Sequence, residues 1–171
     1  MPDKRTIARA REDKREGKSV TTQAGEFVRE QIERIRRGVH GARSAKQAIA
    51  IGLSEARRAG VDLPPPRQGK GRTKTKASTR KKAAYDYAVG QGKRKPKRRP
   101  RVSGAVEAVL KREPRRSVSH ASLARQARQA AAGRSASQRA ASARKAVRTK
   151  DAAKRSAAAR KAARTRARRK G

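Results

Sequence analysis

Acidic residues almost disappear from this chain after Pro114. The first 66 residues carry 15 lysines and arginines against 9 aspartates and glutamates, residues 67–114 carry 17 against 3, and residues 115–171 carry 19 against 1. A segment with a large charge of one sign and little apolar surface cannot offset its ordering entropy, and it repels itself unless a polyanion neutralises it. Only the first part of the chain is therefore expected to fold as a compact domain.

The strongest folding signal is the stretch SAKQAIAIGLSEARRAG, from Ser44 to Gly60. Ser44 and Gln47 form a capping-box pattern at its start, and Gly60 follows the last turn as a helix stop. One helical face collects its apolar and small residues, which are Ala45, Ala48, Ile49, Gly52, Leu53, Ala56 and Ala59. Because one amphipathic helix cannot bury its own stripe, this helix requires a partner.

The partner is predicted just upstream, in a helix from about Gln23 to Arg37 with Thr21 and Thr22 as candidate caps. Its apolar arc consists of Phe27, Val28, Ile32 and Ile35. The connection GVHGARS is short, so the helices are expected to pack antiparallel, and Gly52 permits a close approach of their backbones. The predicted fold class is mostly α: a small antiparallel helical hairpin, residues 21–66, with long disordered or conditionally helical basic arms.

Composition divides the rest of the chain into arms. Residues 1–20 are predicted to form a polar arm. Within it, residues 3–16 could form a polar helix that is solvated or frayed, because Ile7 is its only sizeable apolar residue. The segments after the hairpin are a basic linker with one candidate short helix near 80–88 (67–101), weak short helices (102–133) and an Ala/Arg/Lys-rich low-complexity tail (134–171). Alanine favours helix in this tail while the cations repel one another, so we expect it to be mainly coil in water and helical on phosphates.

Two alternatives stay open for the hairpin. KSVTTQ, residues 18–23, could form a short strand, which would give the element order of a ribbon-helix-helix dimer, although the segment alternates poorly. A hairpin this small has a limited core, so it could also gain stability as a homodimer through the hairpin or by ordering on a nucleic acid.

Catalytic signals are lacking in the sequence. His40 stands in a loop and His120 near a helix start, without nearby acid pairs, and no Gly-rich phosphate loop or nucleophile elbow is present. The absence of cysteine excludes disulfides and thiolate metal sites. We therefore expect no enzyme, no cofactor and no metal site. No apolar run can span a membrane and the N-terminus lacks a signal peptide, so the expected location is cytoplasmic, at the nucleoid, with no membrane partner.

The positive signal is electrostatic. Duplex DNA carries one negative charge per about 1.7 Å of its axis, and each phosphate that a cation neutralises releases a condensed counterion. Arginine can also form two hydrogen bonds to one phosphate. We therefore predict sequence-nonspecific nucleic-acid binding, with DNA favoured over RNA. The predicted binding residues are Lys93, Arg94, Lys95, Lys97, Arg98, Arg99, Arg101, Arg144, Lys145, Arg148, Lys154, Arg155, Arg160, Lys161, Arg164, Arg166, Arg168, Arg169 and Lys170.

Two other functions compete with DNA binding. Tyr85 and Tyr87 precede the run KRKPKRRPR, residues 93–101, and could stack on exposed bases as in single-strand-binding proteins, or pack on the hairpin. An RNA- or ribosome-associated factor is therefore the second hypothesis. The third is an adaptor whose hairpin binds a protein partner while the basic arms localise it.

Two resemblances accompany these features. The segment EFVREQIERIRRGVHGARSAKQAIAIGLSEARRAG, Glu26 to Gly60, resembles a family of small basic bacterial proteins of unknown function that share a KQAIAIGLSEAR-like helix. That resemblance implies a shared fold and no established activity. The tail, roughly the last third of the chain, resembles in composition the tails of bacterial histone H1-like proteins, and it implies association with the nucleoid.

Overall fold

The structure is a computed structural model that describes residues 2–66, 75–97, 100–149 and 152–168. Within these ranges the chain is mostly helical and contains no strand, which confirms the predicted fold class. The elements are α1 (Lys4–Arg15), α2 (Val20–Arg36), α3 (Ala45–Arg58), α4 (Ala77–Gly90), α5 (Pro100–Arg112), the 3₁₀ helix η1 (Arg115–Val118), α6 (His120–Ala132), α7 (Ala136–Thr149) and α8 (Ala152–Ala167). Two compact units result, Met1–Arg128 and Gln129–Gly171, and each is described by itself.

The predicted antiparallel hairpin is formed by α2 and α3. Phe27, in the first half of α2, shares a buried cluster with Ala56 near the end of α3. Ile35, near the end of α2, shares another cluster with Ala48 near the start of α3. Val61 is also buried in the first cluster and closes the open end of the hairpin. Both predicted apolar faces therefore meet in the expected orientation.

The start of α2 differs from the prediction. Ser19 is the N-cap, and its hydroxyl accepts a hydrogen bond from the backbone N–H of Thr22 at 3.4 Å. The helix therefore begins at Val20 rather than near Gln23, and Thr21 lies in its first turn. The strand that was left open as an alternative for KSVTTQ does not form, and the ribbon-helix-helix order is wrong with it, because serine capping starts a helix within that segment.

The caps of α3 agree with the sequence-based prediction better than the start of α2 does. The Ser44 hydroxyl accepts from the N–H of Gln47 at 3.2 Å, as the capping box requires. The Gln47 side chain instead accepts from the N–H of Arg43 at 2.8 Å, one residue earlier than in the usual box. Gly60 comes after the helix with a φ of 88°, a left-handed conformation that glycine adopts without strain.

The N-terminal helix is packed, so the prediction of a solvated or frayed segment is wrong. Thr6 and Ala10 lie four residues apart on one face of α1 and are only 1% and 4% exposed. Ala10 belongs to the cluster of Phe27, with Ile7 packed against it. The prediction counted only large apolar side chains, whereas small residues let α1 approach α2 closely and bury a narrow stripe.

Carboxylates on α2 also hold α1. Glu30 accepts the backbone N–H of Asp3 with both oxygens, at 3.0 and 3.2 Å. Glu26 forms an ion pair with Arg9 at 3.2 Å. These contacts join segments that are polar in sequence, and they explain why a helix with little apolar surface is ordered.

Part of the predicted linker belongs to the first unit, because α4 packs on α3. Asp86, only 5% exposed, accepts a hydrogen bond from the Ser54 hydroxyl and lies 3.8 Å from the guanidinium of Arg58. Gly90 lies against the backbone of Arg57, where any side chain would meet the carbonyl oxygen. The short helix predicted for 80–88 is confirmed, with longer bounds.

The end of α5 and the segment after it cross the hairpin loop. The N–H of Gly41 donates to the carbonyl of Leu110 at 2.8 Å, and the N–H of Ala42 donates to the carbonyl of Pro114 at 3.4 Å. Val118 at the end of η1 is fully buried, in the same cluster as Ala42. This stretch lies within the predicted region of weak short helices, yet it completes the core of the hairpin.

In the second unit, α7 and α8 are helical where the sequence predicts a tail that is mainly coil in water. The side chains that are described in these two helices are exposed. Alanine has the highest intrinsic helix propensity, and it accounts for helix formation without burial.

Candidate nucleic-acid interface

Most of the predicted tail residues that the structure describes fall on α7 and α8. The side chains of Arg144, Arg160, Lys161, Arg164, Arg166 and Arg168 are exposed. The backbones of Lys145, Arg148, Lys154 and Arg155 lie within the same two helices. Arg98, Arg99, Arg169 and Lys170 lie outside the described residues. Arg160, Arg164 and Arg168 recur every four residues, so they lie along one side of α8 and of its last turn.

Four predicted residues are gathered in one loop after α4, and Tyr85 holds this loop. The Tyr85 hydroxyl accepts from the backbone N–H of Lys97 at 2.8 Å and donates to the carbonyl of Lys95 at 3.5 Å. The guanidinium carbon of Arg94 lies 5.1 Å from the centroid of the Tyr85 ring, a cation–π distance. We call residues 93–97 the Tyr85 loop. All four cations of this loop are exposed, and so is Arg101 in the first turn of α5.

The three aromatic side chains all make contacts within the first unit. Phe27 is fully buried in the hairpin core. Tyr85 binds the loop of residues 93–97, and Tyr87 donates its hydroxyl to Asp62 at 2.5 Å. That hydrogen bond to a carboxylate raises the pKa of the Tyr87 phenol. Tyr87 therefore holds α4 to the segment after α3.

The carboxylates of the first unit are largely used inside it. Asp13 and Glu16 bind Lys18 at 2.8 and 2.6 Å, and these hydrogen bonds raise the pKa of the Lys18 ammonium. Lys111 binds Glu107 at 3.0 Å and lowers the pKa of that carboxyl. Further carboxylate contacts are Glu26–Arg29, Glu30–Arg34 and Glu55–Gln31. Few carboxylates are left to neutralise the remaining cations.

Burial withdraws one arginine of the hairpin from the surface. Arg57 is 9% exposed, and its Nε donates to the carbonyl of Leu63 at 3.1 Å. Desolvation lowers the pKa of this guanidinium. Arg57 therefore stabilises the chain that closes the hairpin and is not part of a ligand surface.

Sequence reasoning missed four arginines on two segments that the fold packs together, the end of α2 and η1. They are here called the arginine patch: Arg36, Arg37, Arg115 and Arg116. Arg36 donates from Nη2 to the carbonyl of Val118 at 3.3 Å, across 82 residues of sequence. The guanidinium carbon of Arg115 lies 2.6 Å from the point where a Cβ on Gly38 would stand. All four side chains are exposed. The available sequence signal was Val118, the apolar residue that follows Arg115 and Arg116 in RRSV. Its burial fixes this basic pair to the core.

The described residues contain neither a metal-binding cluster nor a membrane-spanning helix. No three histidine, aspartate or glutamate side chains among them are close enough to hold a metal ion. None of the helices in the described ranges has the length and apolarity to cross a membrane.

Comparison with known proteins gives one match. No curated protein and no solved structure matches the chain. Residues 11–67 match the model of a family described as a family of unknown function (DUF6496), which covers one third of the chain. The match includes the stretch from Glu26 to Gly60. The end of α1 and the α2–α3 hairpin are thus similar to an uncharacterised protein family.

Proposed function

We propose that this protein binds nucleic acid without sequence preference, with duplex DNA as the favoured ligand, and acts as a nucleoid-associated, histone H1-like protein. One observation carries the proposal. Most carboxylates of the first unit are used in contacts inside that unit, whereas residues 129–171 carry fifteen lysines and arginines against a single aspartate. A polymer of phosphates supplies the missing anions.

The mechanism is exchange of small counterions for phosphates. Each cation of the tail or the Tyr85 loop that meets a phosphate releases a condensed counterion, and this release favours binding without reading bases. The spacing of Arg160, Arg164 and Arg168 allows one side of α8 to face a phosphate strand. Helical order in the tail limits the entropy cost of binding for these cations.

The contacts of the aromatic residues favour duplex DNA over single strands. Proteins that bind single strands without sequence preference stack bases on exposed aromatic rings. Here Phe27 is buried, Arg94 lies over the ring of Tyr85, and the Tyr87 hydroxyl is bound to Asp62. These contacts support phosphate binding to a duplex, and they weigh against the RNA alternative.

The experiment compares full-length protein with a variant in which all fifteen lysines and arginines of residues 134–171 are replaced by glutamine. Changing the tail only from residue 134 onward leaves Val118 and the core intact. Affinity for a labelled DNA duplex is measured by fluorescence anisotropy at several salt concentrations. We expect the logarithmic salt dependence to become shallower by about 0.9 for each phosphate that the variant no longer neutralises.

A matched control keeps the composition of the tail and shuffles its order. Electrostatic, sequence-nonspecific binding predicts the same salt dependence for the shuffled and the natural tail. Lysate sedimentation after DNase or RNase treatment then identifies the cellular ligand, and we expect DNase to release the protein. Release by RNase alone would favour the RNA alternative, and failure to bind duplex or single strands in dilute buffer would exclude both.

A further inference from the structure

We infer that the arginine patch is a preformed phosphate-binding site through which the first unit docks on the backbone of duplex DNA. The inference rests on the proposed function, but it assigns contacts to a folded surface rather than to the basic tail. The four arginines come from two segments that are far apart in sequence, the end of α2 and η1.

The position of η1 against α2 is set by the core. Val118 is buried beside Ile35, and the Ser117 hydroxyl donates to the carbonyl of Pro114 at 3.0 Å. Arg36 then binds the carbonyl of Val118 from the side of α2. The backbones that carry the arginine patch are therefore held in place before any ligand arrives.

Pairing distinguishes these arginines from others on the same helix. Arg29 lies 3.5 Å from Glu26, and Arg34 lies 3.9 Å from Glu30. No member of the arginine patch has a described carboxylate within 4.0 Å. Glu33 and Glu113 are near in sequence, but neither forms an ion pair with a described residue. The patch thus places four arginines without a carboxylate partner where η1 packs against the end of α2.

Helix capping accounts for only part of the patch. Cations at the end of a helix stabilise its carbonyl groups, and Arg115 lies over the terminal Gly38 in a manner that fits this role. The side chains of Arg37 and Arg116 form no hydrogen bond or ion pair with another described residue. A purely structural role leaves these two exposed guanidinium groups unexplained.

Phosphate is the ligand that this chemistry fits. A guanidinium presents a planar fork of donors that matches two phosphate oxygens. Groups on an ordered backbone lose less entropy on binding than groups on a mobile arm. A duplex offers phosphates at regular positions on a stiff polymer, so a rigid patch favours it over a flexible single strand.

The test uses full-length protein with the double substitution Arg37→Gln and Arg116→Gln. The matched control is Arg29→Gln with Arg34→Gln, which removes the same charge from arginines already paired with carboxylates. Affinity for a DNA duplex is measured by fluorescence anisotropy over a range of salt concentrations. We expect the slope of log affinity against log salt concentration to become shallower by about 1.8 in the patch variant, because each of the two lost phosphate contacts contributes about 0.9. The slope of the control should stay nearly unchanged.

Further measurements separate the remaining explanations. Thermal melting by circular dichroism should be unchanged in the patch variant, because Arg37 and Arg116 form no side-chain hydrogen bond or ion pair within the described ranges. Replacing both by lysine restores the positive charge and should restore the salt dependence. A patch variant and a control with equal salt dependence would overturn the inference while leaving the proposed function intact.

Two other outcomes would contradict the inference in different ways. Wild-type protein that binds no DNA would remove the proposed function, and the patch site with it. A patch variant that loses affinity for single-stranded RNA but keeps its full affinity for the duplex would overturn the assignment to DNA.

Discussion

Gly52 of α3 lies against the backbone of Val28 of α2. A Cβ built on Gly52 would stand 2.7 Å from the Cα of Val28 and 2.9 Å from its backbone nitrogen. No side chain fits in that space, and backbone atoms cannot move aside as a flexible side chain can. The distance between the two hairpin helices, and hence the packing of both buried clusters, depends on this glycine.

The first prediction is that Gly52→Ala destabilises the protein by about 1–3 kcal/mol through overpacking. Gly25→Ala is the matched control, because Gly25 also lies within a helix but has no atom within 4 Å of its added Cβ. That control should stabilise the protein by about 0.5–1 kcal/mol, since alanine favours helix over glycine. Urea denaturation monitored by circular dichroism measures both changes. If both substitutions changed the stability in the same direction, the close approach of α2 and α3 at Gly52 would be contradicted.

The second prediction concerns the attachment of α4. Asp86→Ala removes the acceptor of Ser54 and the partner of Arg58 at a buried position, so we expect it to destabilise α4 by about 1–3 kcal/mol. Amide hydrogen exchange in residues 77–90 should accelerate more than exchange in α2. Glu107→Ala removes an exposed carboxylate and should change stability by less than about 0.5 kcal/mol. Equal effects of the two substitutions would argue against docking of α4 on α3.

The third prediction is a pH dependence at Tyr87. Its pKa is raised above the usual 10.0 because the phenol donates to Asp62. The bond therefore contributes its full stability below the phenol's unfolded pKa and loses it as the pH rises through the higher folded pKa. In Tyr85→Phe protein, which has a single tyrosine, ultraviolet titration should place the transition above pH 10.0, and adding Asp62→Asn should lower it. No shift on removal of the Asp62 carboxylate would show that the bond is not formed.

The fourth prediction concerns the Tyr85 loop. Tyr85→Phe keeps the ring under Arg94 and removes the hydroxyl that accepts from the N–H of Lys97. Amide exchange at Lys97 should therefore accelerate, while the salt dependence of DNA binding stays unchanged because the substitution removes no charge. Tyr87→Phe is the control and should leave exchange at Lys97 unaffected. Equal acceleration in both variants would mean that Tyr85 does not hold the loop.

Local patterns identified much of the fold. Helical periodicity placed Phe27 and Ile35 on the face that meets α3, and capping chemistry placed Ser44 at the start of that helix. The prediction failed where packing depends on small residues, as at Thr6 and Ala10 of α1. Periodicity arguments give weight to large apolar side chains and therefore overlook a helix that packs through small ones.

The sequence by itself determined that the α2–α3 hairpin forms in the part of the chain where acids balance bases, and that cations dominate the segments downstream of it. Tertiary structure alone decided which of those cations stand together. Arg36 binds Val118 and Arg115 lies over Gly38 because Val118 is buried beside Ile35, a contact that joins residues far apart in sequence. Charge composition is a sum over the chain, whereas a binding surface depends on which segments the core brings together.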